Sequence, residues 1–345
     1  MTTIKLGDIA IEAKSSNKGD KTGCKIVGLE HLTPSDVTLS SWSDDINNSF
    51  TKEFSKGDVL FGRRRAYLKK AAVAPFDGIC SGDITVIRAK EGKVAPQLLP
   101  FIIQNDFLFD YAVGKSAGSL SPRVKWEHLK NFEIMLPNME IQEQLADTLW
   151  SINQTKQAYL TLIKQTDELV KSQFIEMFGD PIQNDMGWPV KPLCKIAPQN
   201  NPQIEIGEKV WLLNLDMVES NTGNIIEKIY VLPDEVGTST GTFNSEMVLY
   251  SKLRPYLNKV VVPDAEGIAT NELVPMMPNK NKLRKEFLAA LLRGDQFLAY
   301  AVHVSGGAQM PRMPLKILKD FQCILPPVEL QDSFISLMSQ SDKSK

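Results

Sequence analysis

Cysteine and histidine are scarce in this 345-residue chain, four of the first and three of the second. Cys24, Cys80, Cys194 and Cys323 lie far apart with no C-x-x-C pair, so they assemble neither a zinc site nor a redox motif. They are expected to be reduced, mostly packed thiols of a cytoplasmic protein. His31, His128 and His303 fit no Ser/His/Asp pattern and read as structural. No G-x-x-x-x-G-K-[ST] loop is present to cradle ATP. No apolar run approaches the roughly 18 residues that a membrane span needs. Met1-Thr2-Thr3-Ile4-Lys5 opens no apolar h-region, so secretion is not expected. A strong charge of one sign is missing too, since 39 Lys and Arg face 41 Asp and Glu.

The charge is nevertheless unevenly spread. Residues 1–136 hold 19 cations against 16 anions, whereas residues 137–180 hold 3 against 7. The densest stretch sets Lys56, Arg63, Arg64, Arg65, Lys69 and Lys70 against Asp58 alone. Phosphate affinity follows such local patches more than overall charge, although a solvated charged face would look the same.

What is present is a duplication. At a constant offset of 189, Arg65-Ala66-Tyr67-Leu68-Lys69-Lys70 becomes Arg254-Pro255-Tyr256-Leu257-Asn258-Lys259. Gly78-Ile79-Cys80-Ser81 becomes Gly267-Ile268-Ala269-Thr270, and Pro122-Arg123 becomes Pro311-Arg312. Leu136-Pro137, Glu140 and Gln142 return as Leu325-Pro326, Glu329 and Gln331. Two long copies make a duplicated domain and not a solenoid. Each mixes short β-type runs with one helical stretch, over residues 96–111 and 284–302. A Gly/Ser loop and a proline-stopped strand, residues 132–136 and 321–325, close each copy. The expected organisation is a first domain over 1–136, a helical spacer over 137–181, a second domain over 182–326 and a short distal helix over 327–345.

From Met139 to Phe178 there is neither glycine nor proline. Leu145, Thr148, Ile152, Thr155, Tyr159, Leu162, Thr166 and Leu169 recur at three- and four-residue steps, widened by Leu149, Ile163 and Val170. This predicts a long amphipathic helix with a heptad-like seam, ended by Gly179-Asp180-Pro181. Forty residues at 1.5 Å each give a rod of roughly 60 Å. A stripe cannot bury itself. The expected partner is the segment from Val328 to Lys345, with Phe334, Leu337 and Met338 as its apolar positions, lying antiparallel to the rod. That segment is too short to cover the whole seam, so Tyr159, Leu162, Thr166 and Leu169 are expected to self-associate or to hold another helix.

The double Leu-Pro-x-x-Glu-x-Gln motif, residues 136–142 and 325–331, each opening a helix, resembles the specificity subunit of Type I restriction–modification systems. Phe178-Gly179-Asp180-Pro181 and the run from Arg254 to Lys259 fit as well. The resemblance covers essentially the whole chain, with a shortened distal helix as its departure. It implies an α+β fold: two duplicated target-recognition domains separated by a long helix, with a short distal helix antiparallel to it. It also implies a non-catalytic protein that reads a bipartite double-stranded DNA target. The implied partners are methyltransferase subunits that use S-adenosylmethionine and a restriction/translocase subunit that uses ATP and Mg, with no cofactor in this chain.

Residues common to both copies cannot distinguish two different half-sites. Arg65/Arg254, Tyr67/Tyr256, Lys70/Lys259 and Arg123/Arg312 are therefore scaffold or phosphate contacts. Tyr67 and Leu68 read as packing at the core edge, and Arg123 and Arg312, in Gly/Ser loops, as the better phosphate ligands. Lys69 and Lys125 extend the cationic set. Residues that differ are candidates for base reading: 15–18, 40–48, Arg63 and Arg64 in the first copy; Asn200, Asn201, Gln203 and residues 238–242 in the second. Solvated turns would have the same composition. Two other functions stay open: an assembly scaffold built on Leu145, Leu149, Ile152, Tyr159, Leu162 and Leu169, and a metal-dependent nuclease built on Asp77 and Glu91-Gly92-Lys93. The nuclease pattern is not repeated, because Glu266 and Lys280-Asn281-Lys282 stand there in the second copy.

Overall fold

The computed structural model describes residues 2–17, 19–307 and 309–343. The candidate Lys18 and the end of the tail at Lys345 lie outside the described residues. The chain divides into two compact units, Met1–Ala158 and Tyr159–Lys345.

In the first unit a four-stranded antiparallel sheet runs in the order Ala10–Glu12, Ile84–Ala89, Val59–Gly62, Ala71–Val73. A three-stranded sheet sets Gly78–Cys80 between Lys25–Val27, parallel to it, and Lys52–Phe54, antiparallel to it. The strand before the long helix returns to the N-terminus: Thr2–Lys5 pairs with Glu133–Leu136, Lys5 opposite Glu133. Each copy is thus closed by its own two ends, because in the second unit Val190–Pro192 pairs with Gln322–Ile324 in the same way.

The second unit repeats the pattern with Val248–Ser251 between Val260–Val261 and Leu273–Met276. Its other sheet orders Ile229–Val231, Val210–Leu213, Gly267–Thr270 and Thr240–Phe243. Gly78 and Gly267 sit at equivalent strand positions, and the physical reason is the same. A Cβ at Gly78 would lie 2.5 Å from Lys25 O and 2.6 Å from the Phe54 ring, and one at Gly267 would lie 2.7 Å from Trp211 O and 2.8 Å from the Phe243 ring.

The duplication is less regular than the offset of 189 suggests. Ile26 pairs with Ile79 and Leu212 with Ile268, so the first of these strands is offset by 186 while its partner keeps 189; Lys5 pairs with Glu133 and Pro192 with Gln322, an offset of 187 against 189. Each expected single helix is also two helices. Leu99–Ile103 is separated from Asp106–Gly114 by Asn105, whose Oδ1 accepts from Phe107 N at 2.9 Å and starts the second helix. In the second copy Gly294 separates Lys285–Arg293 from Asp295–His303.

The central helix spans Met139–Phe178, as its freedom from glycine and proline predicts. Ala146 near its start is buried against Ala95 and Leu98, with Leu149 packed on the same cluster. Leu149 therefore serves the first unit and not a partner helix. At the other end Phe174 and Phe178 enter the second core with Phe287 and Phe334, ring centroids 4.8 to 5.5 Å apart. Phe334 belongs to the distal helix Val328–Lys343, and Met338 packs on the same cluster while Leu337 is half-buried. Between these ends Leu145, Ile152, Tyr159, Leu162 and Leu169 are exposed.

Gln142 and Gln331 are the buried polar pins of this arrangement. Gln142 Oε1 accepts from Ala95 N at 3.0 Å, and Nε2 donates to Pro137 O at 2.9 Å. Gln331 Oε1 accepts from Arg284 N at 2.8 Å, while Nε2 donates to Lys282 O and Pro326 O at 3.0 and 2.9 Å. The repeated Leu-Pro-x-x-Glu-x-Gln motif is therefore a joint. The glutamine one turn into each helix ties it to the loop that precedes the helices of its own domain.

Candidate nucleic-acid interface

The repeated cations separate into three kinds. Lys70 Nζ donates to Leu29 O at 2.8 Å and Lys259 Nζ to Leu215 O at 2.7 Å, so both ammonium groups cap equivalent short turns. Arg123 Nε and Nη2 grip Asp83 at 2.7 and 3.2 Å, and Arg312 grips Glu272 at 3.5 and 3.1 Å. These two arginines, the favoured phosphate ligands on sequence, are engaged with carboxylates. The Arg123 guanidinium holds the Asp83 carboxyl below its ordinary value, and Asp83 raises that of Arg123 in turn.

Arg65 and Arg254 are the third kind. Both are exposed, and among the described residues neither guanidinium has a hydrogen-bond or ion-pair partner. Each stands in the left-handed region, φ 54° and 49°, at the head of a 3-10 turn that ends in a second left-handed residue, Lys69 or Asn258. Left-handed backbone costs a non-glycine residue about 1 kcal/mol or more. The turns are held in it by Arg65 N donating to Pro122 O at 2.8 Å and Arg254 N to Pro311 O at 2.7 Å. Tyr67 and Tyr256, two residues on, are half exposed to solvent and not packed at the core edge, and Leu68 is exposed as well. An unpaired guanidinium beside an exposed phenol, built twice on a constrained turn, suits an anionic group common to both halves of a ligand.

Around the first turn lie further cations, of which only Arg63 has a cationic equivalent, Lys252, in the second copy. Arg64 Nη2 donates to Ser121 Oγ at 3.0 Å, and its Nη1 lies 3.5 Å from Asp83 Oδ2. Lys69 Nζ pairs with Asp106 at 2.6 Å. Arg63 is half-buried, its backbone N–H bonded to Asp83 O and its carbonyl to Val124 N. Lys125 is exposed at the start of the short helix Trp126–Leu129. Lys52 was not foreseen: it pairs with Ser16 in a bridge, and its Nζ donates to Ile84 O at 2.7 Å. Burial pushes its pKa down, against the pull of Glu12. Lys52 thereby joins the polar residues 15–17 to Arg63 and Asp83. By the offset of 189, Lys52, Arg63, Arg64 and Lys69 correspond to Gly241, Lys252, Leu253 and Asn258 in the second copy.

The polar loops also gather. Asn17 N donates to Thr51 O and Glu53 N to Ser15 O, while Ser43 bridges Ile26. In the second copy Thr242 Oγ1 donates to Pro202 O at 2.6 Å, bringing the loop of Asn200, Asn201 and Gln203 against residues 238–242. Asn200, Asn201 and Gln203 are exposed. Asp77 instead accepts from Lys56 N at 2.7 Å, and no metal-type cluster of three or more His, Cys, Asp or Glu occurs among the described residues. Likewise no described helix is long and apolar enough to cross a membrane.

Duplicated α+β domains joined through one long helix define a class of DNA-specificity protein, and comparison with known proteins agrees. The family model for the Type I restriction modification DNA specificity domain matches residues 1–166. The chain is similar to the Type I restriction enzyme MjaIX specificity subunit of Methanocaldococcus jannaschii, 23% identical over 89% of this chain and 78% of that one. It is 25% identical to the Type I restriction enzyme EcoDI specificity subunit of Escherichia coli over 36% of this chain, a match that spans only 27% of the E. coli protein. Its fold is that of a crystallised Type I restriction–modification S subunit from M. genitalium, with TM-score 0.57, 11% identity, and coverage of 99% of this chain and 89% of that one. Residues 1–166 thus match the Type I restriction modification DNA specificity domain, and the chain as a whole is similar to specificity subunits of Type I restriction–modification systems. That family is non-catalytic and recognises DNA sequence.

Proposed function

We propose that this chain reads a bipartite double-stranded DNA target, one half with each copy, and directs the methyltransferase and restriction/translocase subunits of a Type I complex to it. The observation that carries the reading is the duplicated Arg-x-Tyr turn. Its free guanidinium and exposed phenol recur unchanged beside polar loops that differ between copies. Identical anionic contacts flanking different base contacts are what two unlike half-sites on one phosphate backbone require. The helix Met139–Phe178 is the element that would fix the gap between half-sites, because a stiff connector sets spacing where a flexible one does not. S-adenosylmethionine, ATP and Mg are assigned to the partner subunits, and the complex to the cytoplasm.

The test uses the complex assembled with its methyltransferase subunits and the motif mapped by methylome sequencing. Arg65→Ala and Arg254→Ala should each weaken binding uniformly across sequences and lower the salt slope by about one. An unchanged slope in the double variant refutes the phosphate role. A native complex without sequence preference refutes the DNA reading itself. The exposed Leu145, Ile152, Tyr159, Leu162 and Leu169 favour a second role for the helix, as a surface for self-association or for a partner's helix. Leu162→Asp with Leu169→Asp should then reduce the mass of the complex by light scattering while both domains stay folded.

A further inference from the structure

Residues 117–123 form a hairpin in which Ala117 N donates to Arg123 O at 3.0 Å and Arg123 N to Ala117 O at 2.9 Å. Its base is fixed from three sides. Arg65 N bonds Pro122 O, Val124 N bonds Arg63 O, and Arg64 reaches over to the Ser121 hydroxyl. At its tip stands Leu120, 89% exposed and the most exposed of the large apolar side chains described. The second copy pairs Gly306 with Arg312 in the same way, with Gly307 at φ 100°, Gln309 in the place of Leu120 and, next to it, Met310 exposed. Single exposed leucines are common on protein surfaces. A leucine raised on a braced hairpin, with an apolar residue beside the equivalent tip, is a presented group.

The surroundings define what it meets. Arg63, Arg64, Arg65, Lys115, Arg123 and Lys125 lie in the segments that make or touch the first hairpin, against Asp83 alone. A partner must therefore be anionic and yet offer an apolar surface within a side chain's reach of its charges. Duplex DNA does so, since phosphates flank a groove whose floor exposes thymine methyl groups and, at flexible steps, the faces of the bases. A hydrophobic protein surface would leave these cations to be desolvated without compensation.

We propose that Leu120 is an apolar base contact of the first half-site, and that Met310, next to the positional equivalent Gln309, is the corresponding apolar group of the second. This rests on the DNA reading above and adds to it a residue that determines specificity. The hairpin enters a groove with its cations toward the phosphates, and the isobutyl group packs on a thymine methyl or into an opened base step.

The test measures affinity of the assembled complex for its methylome-defined duplex and for a scrambled duplex. Leu120→Ala should weaken target binding about tenfold, in keeping with burial of one leucine side chain, and leave scrambled binding unchanged. Leu120→Met should retain most of the preference. Uracil in place of one target thymine reproducing the alanine loss identifies the methyl contact. A rise in 2-aminopurine fluorescence that needs Leu120 identifies the opened step. If Leu120→Ala binds target within twofold of native while Arg65→Ala weakens both duplexes, the leucine is no base contact and the DNA reading survives. If the native complex has no preference, both fall together.

Discussion

Replacing Gln331 with leucine would strip three groups of their partners at once, one of them, Pro326 O, in a fully buried bond. Gln331 is fully buried, and its amide satisfies Arg284 N, Lys282 O and Pro326 O. Leucine fills a similar volume, so the loss is polar and not steric. A buried N–H left unpaired costs about 2 kcal/mol and a carbonyl, with its second lone pair, about 1 kcal/mol. Because the carbonyl of exposed Lys282 can turn to water, the variant should lose about 3 kcal/mol, a large share of the roughly 5–15 kcal/mol that holds a domain. Gln142→Leu orphans only Ala95 N and Pro137 O and should lose about 3 kcal/mol. Urea denaturation gives the magnitudes. Hydrogen exchange locates them, because the amides of Arg284 and Ala95 should lose protection before the sheets do. A midpoint unchanged from native in both Gln331→Leu and Gln142→Leu would refute the view that these glutamines pin the helices.

Other predictions follow from single contacts. Asp58 is buried, accepts from Ser55 N and is gripped by Arg88 through two 2.7 Å bonds, so Asp58→Asn should cost about 2–3 kcal/mol in thermal or urea unfolding. The Asp83 carboxyl is depressed below 3.8 by its bonds from Arg123, so its contribution is complete at pH values above 3.8 and vanishes as pH falls through the lower folded value. The stability gap between native and Asp83→Asn should accordingly close on acidification, and a gap that widened would contradict the pairing. Gly267→Ala should destabilise the second unit by about 1–3 kcal/mol, since its Cβ has no room below Trp211 O and the Phe243 ring. Burial pushes the thiols of Cys80 and Cys323 up to about 12, so a thiol reagent should modify Cys24 and Cys194 in the native protein and reach the other two only on unfolding.

The repeat was legible because its identities cluster where backbone geometry is demanding: the left-handed Arg-x-Tyr turn, the glycine beneath a phenylalanine ring, and the glutamine joint. The drift to offsets of 186 and 187 was hidden because Lys25–Val27 and Val210–Leu213 share a strand position without sharing residues. A β-strand buried on one side constrains hydrophobicity and little else. The breaks in the two helical stretches were written in the chain as Asn105 and Gly294, a cap and a breaker that the surrounding apolar periodicity masked. Lys52 left no trace, since nothing along the chain tells that residue 52 lies beside residue 84.

The cations show where a repeated residue stops being evidence for a ligand. Arg123 and Arg312 recur together with an acid at the same offset, Asp83 and Glu272, and the pair of pairs is a structural clamp. Lys70 and Lys259 recur with a turn whose carbonyl they cap. Arg65 and Arg254 recur with no side-chain partner among the described residues, on backbone that is costly to hold. A charge kept twice and satisfied by nothing internal must be satisfied from outside. Under the proposed DNA reading, with polar loops that differ between copies, the phosphate backbone is the feature that both half-sites would share.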